Sequence, residues 1–236
     1  MDFKEALREK ASESGLTVTD GMLEKFEKYF KMLTEWNKKM NLTAITEPMD
    51  VIYKHFIDCM TLFKYADIQN GAAVVDVGTG AGFPGAVMAI YRSDLKITLI
   101  DSLNKRVNFL NELNSQLDLG MNIYHLRAED GAKRPEFREK FDVVVSRAVA
   151  QLNILSEYCL AYIKVGGHFY AMKGPQIPEE AEAARNAVSH MGGKIKRIIN
   201  YALVNGEGRA IADIQKIKPT SSMFPRQSGQ IKSKPL

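Results

Sequence analysis

The sequence predicts an α/β fold in which a mostly parallel seven-stranded sheet ends in an antiparallel last strand and carries an N-terminal helical cap. Three observations lead to this prediction. The first seventy residues have helical periodicity, and five apolar strand-like runs then alternate with helical segments. Two further runs are joined by VNGEG, a hairpin signal. We expect the cap, residues 1–70, and the core, residues 71–236, to form one compact domain, because 236 residues are too few for two independent enzymes.

Two helices are expected in the cap. The first would have Thr19 or Asp20 as its N-cap residue. The second is predicted over residues 51–66 and carries His55 and Asp58. The apolar residues of the first helix recur at helical spacing with charged residues between them, and they are Leu23, Phe26, Phe30 and Leu33.

The core begins with alternating strands and helices, which is the pattern of a parallel sheet. The first five strands are expected at residues 73–76, 96–101, 123–126, 141–146 and 167–172. Helices are expected at residues 85–91, 105–117, 152–162 and 179–191. Strands at 194–203 and 209–217 would form the closing hairpin, in which Asn205 and Gly206 can adopt positive φ. Only the last dozen residues look loose.

A glycine-rich turn follows the first predicted strand. The segment DVGTGAGFPG, residues 76–85, places Asp76 at the strand end and four glycines before a helix. Glycine lets the backbone pass close to a bound molecule, because it has no Cβ atom. We interpret the turn as a cofactor site rather than as an ordinary strand-to-helix connection. The glycines are Gly78, Gly80, Gly82 and Gly85.

The spacing of Gly80, Gly82 and Gly85 also fits a nicotinamide dinucleotide. The charges favour S-adenosylmethionine, because Asp76 and Asp101 at two strand ends would repel a pyrophosphate and attract a cationic sulfonium and amino group. Asp101 also lies about 20 residues after the glycines, where an acid binds ribose hydroxyls. The antiparallel hairpin supports this choice, since nicotinamide domains usually end with a parallel strand. A nicotinamide reductase stays open as an alternative.

The composition is that of a globular protein, with 45% apolar and 25% charged residues. No apolar run approaches the ~18–20 residues of a membrane helix, and the start, MDFKEALREK, is unlike a signal peptide. We therefore expect a cytoplasmic protein without membrane contact. Cys59 and Cys159 lack metal-ligand spacing, so no metal site is expected. The net charge of +4 permits a nucleic-acid partner, and the chain from Arg209 onward holds six basic residues and one acid, which predicts a positive C-terminal end.

Several short strings, taken together and in order, resemble one known family. They are NKKMNLTAI (37–45), HFIDC (55–59), DVGTGAGFPG (76–85), DSLNKR (101–106), RAED (127–130), SRAVA (146–150), MKG (172–174) and FPRQSGQIKSKPL (224–236). The chain resembles the bacterial small-subunit ribosomal RNA guanine-N7 methyltransferase G family, also called glucose-inhibited division protein B, from residue 36 to the end. It departs from the family at Cys59, where serine is frequent, and residues 176–194 hold no diagnostic string.

The resemblance implies a Rossmann-like methyltransferase with S-adenosyl-L-methionine as cofactor. It implies that N7 of one guanine in small-subunit (16S) ribosomal RNA is the acceptor, within a ribosomal particle, and we expect a monomer. The family's cofactor positions fall on Gly78, Phe83, Ala128, Glu129 and Arg147. Its polar, largely basic pocket falls on Asn41, His55, Arg127, Arg147, Lys173 and Arg226.

Guanine N7 already has a lone pair, so no residue is predicted as a general base and alignment dominates catalysis. We expect Asp76, Asp101 and Glu129 to bind the amino, ribose and adenine-side groups of the cofactor. The pocket cations would contact phosphate, the cofactor carboxylate or the O6 edge of guanine.

Other readings stay open. The acceptor could be a small molecule or a protein, or the chain could be a ribosome-assembly or nucleotide-sensing module without turnover. Arg147 could instead pair with Asp142 or Glu129, and His55 could form a local hydrogen bond with Asp58.

Overall fold

A computed structural model of the chain, which describes residues 2–236, contains one seven-stranded sheet. The strands are β1 (Ala73–Val77), β2 (Lys96–Asp101), β3 (Asn122–His125), β4 (Phe141–Arg147), β5 (Ile163–Lys173), β6 (Gly193–Ala202) and β7 (Gly208–Lys216). Their order in the sheet is β3-β2-β1-β4-β5-β7-β6. The first five strands pair in parallel, and β7 pairs antiparallel with both β5 and β6. The predicted mostly parallel sheet with an antiparallel last strand is therefore confirmed.

Helices cover the sheet and form the cap. They are α1 (Phe3–Glu13), α2 (Asp20–Met40), α3 (Pro48–Val51), α4 (Asp58–Thr61), α5 (Gly85–Tyr91), α6 (Asn104–Leu117), α7 (Ala128–Gly131), α8 (Leu152–Cys159), α9 (Ile177–His190) and α10 (Ser228–Ser233). A π-helical segment, Ile52–Ile57, joins α3 to α4, and 3₁₀ turns follow α4 and α8 at Leu62–Lys64 and Leu160–Tyr162. None of the helices found over residues 2–236 has both the length and the apolar character that crossing a bilayer requires.

Local chemistry explains several element boundaries. Thr19 is the N-cap of α2, and its hydroxyl accepts a hydrogen bond of 3.3 Å from the amide of Met22. Asn41 ends the same helix in a left-handed conformation, with a φ of 46°. The second predicted cap helix begins earlier than expected, at Pro48, because proline suits the first turn of a helix.

Three predictions about the second half of the chain were wrong in detail. Strand β5 begins at Ile163 rather than at residue 167, and Gly166 lies within it with a φ of 94°. In the hairpin only Gly206 has positive φ, whereas Asn205 does not. Lys216, which contributed to the predicted positive end, is fully buried, and its amine donates to the carbonyl oxygen of Leu160 at 2.7 Å.

The last dozen residues are also better anchored than their composition predicted. They include helix α10, whose Ile231 is completely buried against the core. A hydrophobic anchor of this kind holds the chain end on the body of the protein.

A single apolar cluster joins the cap to one face of the sheet. It contains Phe26 and Phe56 from the cap together with Val74 from β1 and Leu110 from α6. Cap side chains therefore pack directly on the elements around the glycine-rich turn. Tyr29 of α2 shows this most clearly, because it is fully buried and its hydroxyl donates to the carbonyl oxygen of Ala81 in that turn.

Candidate active site

The carboxyl ends of the parallel strands meet at one edge of the sheet. In the strand register Val77 lies opposite Ile100, and Arg147 lies opposite Met172. Strands β2 and β4 lie on opposite sides of β1, so the order reverses there. Ligands of open α/β sheets bind at such a switch point.

Three adjacent cavities lie at this edge. The Glu129 crevice, of about 350 Å³, is lined by residues that include Gly78, Asp101, Arg127, Ala128, Glu129, Tyr158, Ser228 and Lys232. The loop crevice, of about 410 Å³, is lined by residues that include Thr43, Gly78, Gly80, Phe83, Asp101, Arg106 and Arg147. The Arg147 pocket, of about 360 Å³, is lined by residues that include Lys54, His55, Asp58, Arg147, Lys173 and Arg209. Because neighbouring cavities share wall residues, they form a continuous groove.

The glycines of the turn serve two different purposes. Gly80 has a φ of 62° and lines the loop crevice, and a Cβ atom there would meet no atom within 4 Å. Its side-chain direction is thus free space for a ligand. Gly82 also has positive φ, but a Cβ atom there would lie 2.6 Å from the hydroxyl of Tyr29. Gly82 is therefore needed for packing against the cap, and it lines none of the three cavities among residues 2–236.

Asp76 lies inside the turn and not on the wall of a crevice. The side chain is fully buried, and its Oδ2 accepts hydrogen bonds from the hydroxyl of Thr79 at 2.7 Å and the amide of Gly85 at 2.8 Å. Burial raises its pKa to about 7. Its Oδ1 has no hydrogen-bond partner within residues 2–236. Asp76 thus stabilises the turn, which differs from the predicted contact with a cofactor amino group.

The other two predicted acids do line the crevices. Asp101 is buried, and its Oδ2 accepts a hydrogen bond of 2.9 Å from the amide of Gly80, which ties β2 to the turn. Glu129 is only 6% exposed and lines the Glu129 crevice, and within residues 2–236 its carboxylate is not among the buried polar groups that lack a partner. No ion pair occupies this carboxylate in the described chain, whereas Asp101 is tied to the amide of Gly80. Glu129 is therefore the acid most available to a bound molecule.

Arg147 organises the cationic side of the groove. Its guanidinium donates to Oδ2 of Asp58 at 2.9 Å and to Nδ1 of His55 at 2.8 Å. It also donates to the carbonyl oxygen of Lys54 and lies 5.2 Å from the ring centroid of Phe83. The pairing of Arg147 with Asp142 or Glu129 that the sequence left open is therefore wrong.

His55 is neutral in this environment. Burial, followed by the nearby charge of Arg147, lowers its pKa to about 3. Because an arginine can only donate, Nδ1 of His55 must be the acceptor, and the ring proton lies on Nε2. Nε2 in turn donates to the hydroxyl of Thr43 at 3.1 Å. No direct hydrogen bond joins His55 to Asp58 in the described chain, since Arg147 bridges them.

The remaining predicted site residues do not all meet. Lys173 lines the Arg147 pocket, but its amine pairs with Glu180 at 2.6 Å and donates to the carbonyl oxygen of Ala150 at 2.7 Å. Arg127 lines the Glu129 crevice instead. Asn41 is exposed at the end of α2, and neither it nor Arg226 lines any of the three cavities. Arg226 is bound to Glu157 of α8. The predicted basic pocket is thus only partly assembled.

Sequence reasoning missed two cations of the Arg147 pocket. Lys54 follows the start of the π-helical segment, and Arg209 is brought to the pocket by strand β7. Arg209 pairs with Glu207 at 2.8 Å and lies 3.6 Å from Asp58. The basic character of the C-terminal end was visible, but its folding back onto the cap was not.

The strand order and the groove at its switch point define the class of the protein as a Rossmann-like α/β fold. A SAM-dependent methyltransferase from Aquifex aeolicus superimposes with a TM-score of 0.54 at 21% identity, covering 75% of this chain and 97% of that chain. M. jannaschii TYW2 in complex with AdoMet gives a TM-score of 0.51 at 17% identity, covering 64% and 72%. At these identities the likeness concerns the fold alone.

Sequence comparison identifies the family. Residues 22–205 match the family model described as rRNA small subunit methyltransferase G. The ribosomal RNA small subunit methyltransferase G of Clostridium perfringens (strain 13 / Type A) is 44% identical, over 100% of both chains. That of Desulforamulus reducens is 46% identical, over 100% of this chain and 99% of the relative. The chain belongs to the rRNA small subunit methyltransferase G family, as the short strings predicted.

Proposed function

We propose that this chain is an S-adenosylmethionine-dependent methyltransferase that methylates N7 of a guanine in small-subunit (16S) ribosomal RNA. The observation that carries the proposal is a groove with two different ends. One end holds the acid Glu129, and the other is a pocket with several cations around Arg147. Membership of the family supports the same reaction.

The acidic end suits the cofactor. Glu129 and Asp101 offer carboxylate oxygens to hydroxyl and amino groups of a nucleoside, and Gly80 leaves room for a molecule that crosses the turn. A pyrophosphate in the same place would face both carboxylates. When bound, S-adenosylmethionine supplies a methyl group on a positively charged sulfur. Asp76 would support this site from within the turn.

The cationic end suits RNA. Lys54 and Arg209 have side chains that are 28% and 21% exposed, so they can reach phosphate or the O6 edge of a guanine. Arg147 and Lys173 are held by Asp58 and Glu180, and they shape the pocket wall.

Neutral His55 packs its ring 4.1 Å from that of Phe83 and orients Arg147. Because guanine N7 needs no deprotonation, we assign no general base. The residues act by positioning the base and excluding water.

The ribosomal context and the oligomeric state belong to the same proposal. We infer that the substrate is RNA within a ribosomal particle in the cytoplasm and that the enzyme acts as a monomer. The family resemblance and the groove, which one chain forms alone, support this inference.

The direct test is methyl transfer to small ribosomal subunits that lack the modification. With labelled S-adenosylmethionine we expect label at N7 of one guanine, located by cleavage at N7-methylated positions. Glu129→Gln should weaken cofactor binding, whereas Glu182→Gln, at a 72% exposed side chain on α9, should behave as wild type.

Each alternative function has its own outcome in the same assay. The absence of label at any guanine N7 with folded protein would refute the proposal. Label in protein or in a small molecule would indicate another acceptor, and cofactor binding without transfer would indicate an assembly module. RNA affinity should also fall steeply as salt rises.

A further inference from the structure

The C-terminal segment, residues 226–234, forms one wall of the Glu129 crevice. Ser228 and Lys232 line this crevice together with Glu129. They are four residues apart on helix α10, so they lie on the same helix face. Ile231 lies on another face and is fully buried in the core. The segment thus presents two polar side chains to the crevice while an apolar side chain holds it in place.

Arg226 fixes both ends of this segment. Its backbone amide donates to Oε1 of Glu157 at 2.7 Å, and its Nε donates to the same oxygen at 2.9 Å. A second guanidinium nitrogen donates to Oε2 of Glu157 at 2.7 Å, which makes the pair bidentate. The third nitrogen reaches forward to the carbonyl oxygen of Lys234 at 3.1 Å. Arg226 therefore ties the start and the end of the segment to helix α8.

The carboxylate of Glu157 is buried and depends on Arg226 as its partner. The side chain of Glu157 is only 1% exposed, while that of Arg226 is 21% exposed. Removing the arginine would leave a buried charge without its main partner, which is strongly unfavourable. Tyr158, the next residue of α8, lines the same crevice and lies 3.2 Å from the hydroxyl of Ser228. The ion pair and the crevice wall are therefore neighbours on one short helix.

We propose that residues 226–234 are a wall of the cofactor's nucleoside site and that Arg226 is the positioning residue that holds this wall. The guanidinium of Arg226 is engaged at every nitrogen with atoms of this chain. It is consequently not a contact for RNA phosphate, in contrast to the expectation from the sequence. This inference rests on the proposed function, because it assumes that the Glu129 crevice takes the nucleoside part of S-adenosylmethionine.

The test compares two probes by calorimetry, S-adenosylmethionine and 5′-methylthioadenosine, which keeps the nucleoside and lacks the amino-acid part. Arg226→Gln should weaken both probes by a similar factor, about tenfold if one wall contact is lost. Arg226→Lys keeps the positive charge but cannot form the bidentate pair with Glu157, so its affinity for both probes should lie between those of the wild type and Arg226→Gln. In turnover assays the KM for S-adenosylmethionine should rise while kcat at saturation stays unchanged.

Control variants separate this role from general charge or folding effects. Lys218→Ala removes an exposed cation of the C-terminal part that lies outside both the segment and the crevice, and Arg185→Gln breaks an exposed pair with Glu182 on α9. Both should bind the probes like wild type. If Arg226→Gln does not fold, Lys232→Ala tests the wall directly, because Lys232 is exposed and only its contact with the ligand should change.

The outcomes are distinguishable. A folded Arg226→Gln protein that binds both probes like wild type, or that loses only RNA affinity, would overturn the inference. Weakened binding of both probes in Arg226→Gln and Lys232→Ala, with unchanged controls, would support it. Failure of the wild-type protein to bind either probe would refute the proposed function itself.

Discussion

Two buried groups beside the glycine-rich turn should give the protein opposing pH dependences. His55 has a pKa of about 3 in the folded state, and Asp76 has a pKa of about 7. Burial causes both shifts, because it disfavours the charged form of either group. Their ordinary values are 6.5 and 3.8, so the two groups titrate in the unfolded chain at opposite ends of the same interval.

The sign of each contribution follows from the proton count. Between pH 6.5 and 4.5 an unfolded histidine takes up a proton that folded His55 refuses, so the free energy of unfolding falls as the pH falls. In the same interval unfolded Asp76 is ionised while the folded residue becomes protonated, so its contribution rises as the pH falls. Each slope has a ceiling of about 1.4 kcal/mol per pH unit, which is about 2.7 kcal/mol over the interval.

Single substitutions should expose the two slopes. In the wild-type protein they largely cancel. His55→Gln keeps an acceptor for Arg147 and a donor for Thr43. Only the pH dependence caused by Asp76 then remains, so the variant should become more stable relative to wild type as the pH falls. Asp76→Asn should lose stability over the same interval. We expect each difference from wild type to change by about 2 kcal/mol between pH 6.5 and 4.5.

The assay is urea unfolding at half-unit pH steps from 4.5 to 7.5, with the free energy of unfolding taken by linear extrapolation. If the free energies of unfolding of the three proteins change with pH in parallel, within about 0.5 kcal/mol, then His55 is not neutral and Asp76 is not protonated in the folded protein over this interval, and the reasoning is refuted. The m-value should stay constant, because neither substitution changes the surface exposed on unfolding.

Three further results are expected. Gly80→Arg should abolish binding of S-adenosylmethionine, whereas Gly120→Arg should not. Both glycines have similar positive φ, 62° and 64°, and open space in the Cβ direction, but only Gly80 lines the groove. Equal affinities of the two variants in calorimetry would contradict this. Lys216→Met should cost about 1–3 kcal/mol by leaving the carbonyl oxygen of Leu160 without its donor. Burial lowers the pKa of Lys216 in the folded protein to about 8, from an ordinary value of 10.5, so the free energy of unfolding of the wild-type protein should rise between these two pH values. Unfolding curves of Lys216→Met should lack this rise. Arg209→Ala should weaken RNA binding and reduce its salt slope by about 1 without changing cofactor affinity, and an unchanged slope would exclude a phosphate contact.

The elements around the groove were predictable because each has a local cause. The glycines after β1 and the acid that ends β2 follow from the strand-turn-helix pattern, and parallel pairing brings these strand ends to one edge. The partners across the groove were not predictable. Arg147 and Asp58 are 89 residues apart, and the sequence does not show that the cap folds over β4.

The sequence also does not determine in which direction a strand-end side chain points. A strand-end aspartate can face a ligand or turn inward, and Asp76 turns inward to hold Thr79 and Gly85. The role of Arg226 had one signal, which was Glu157, the single acid of the apolar helix LNILSEYC. An acid in a helix of that kind needs a cation nearby, but its distance of 69 residues from Arg226 hid the partner.

The apolar cluster shared by the cap and the sheet limits how this protein can be recombined. A hybrid that joins the helices of one relative to the sheet of another would have to match the contacts of Phe26 and Phe56 with the sheet side. The same exchange would replace part of the groove, because Thr43 and His55 come from the helical part. Stability and the shape of the groove are therefore inherited together, and a hybrid selected for one should be screened for the other.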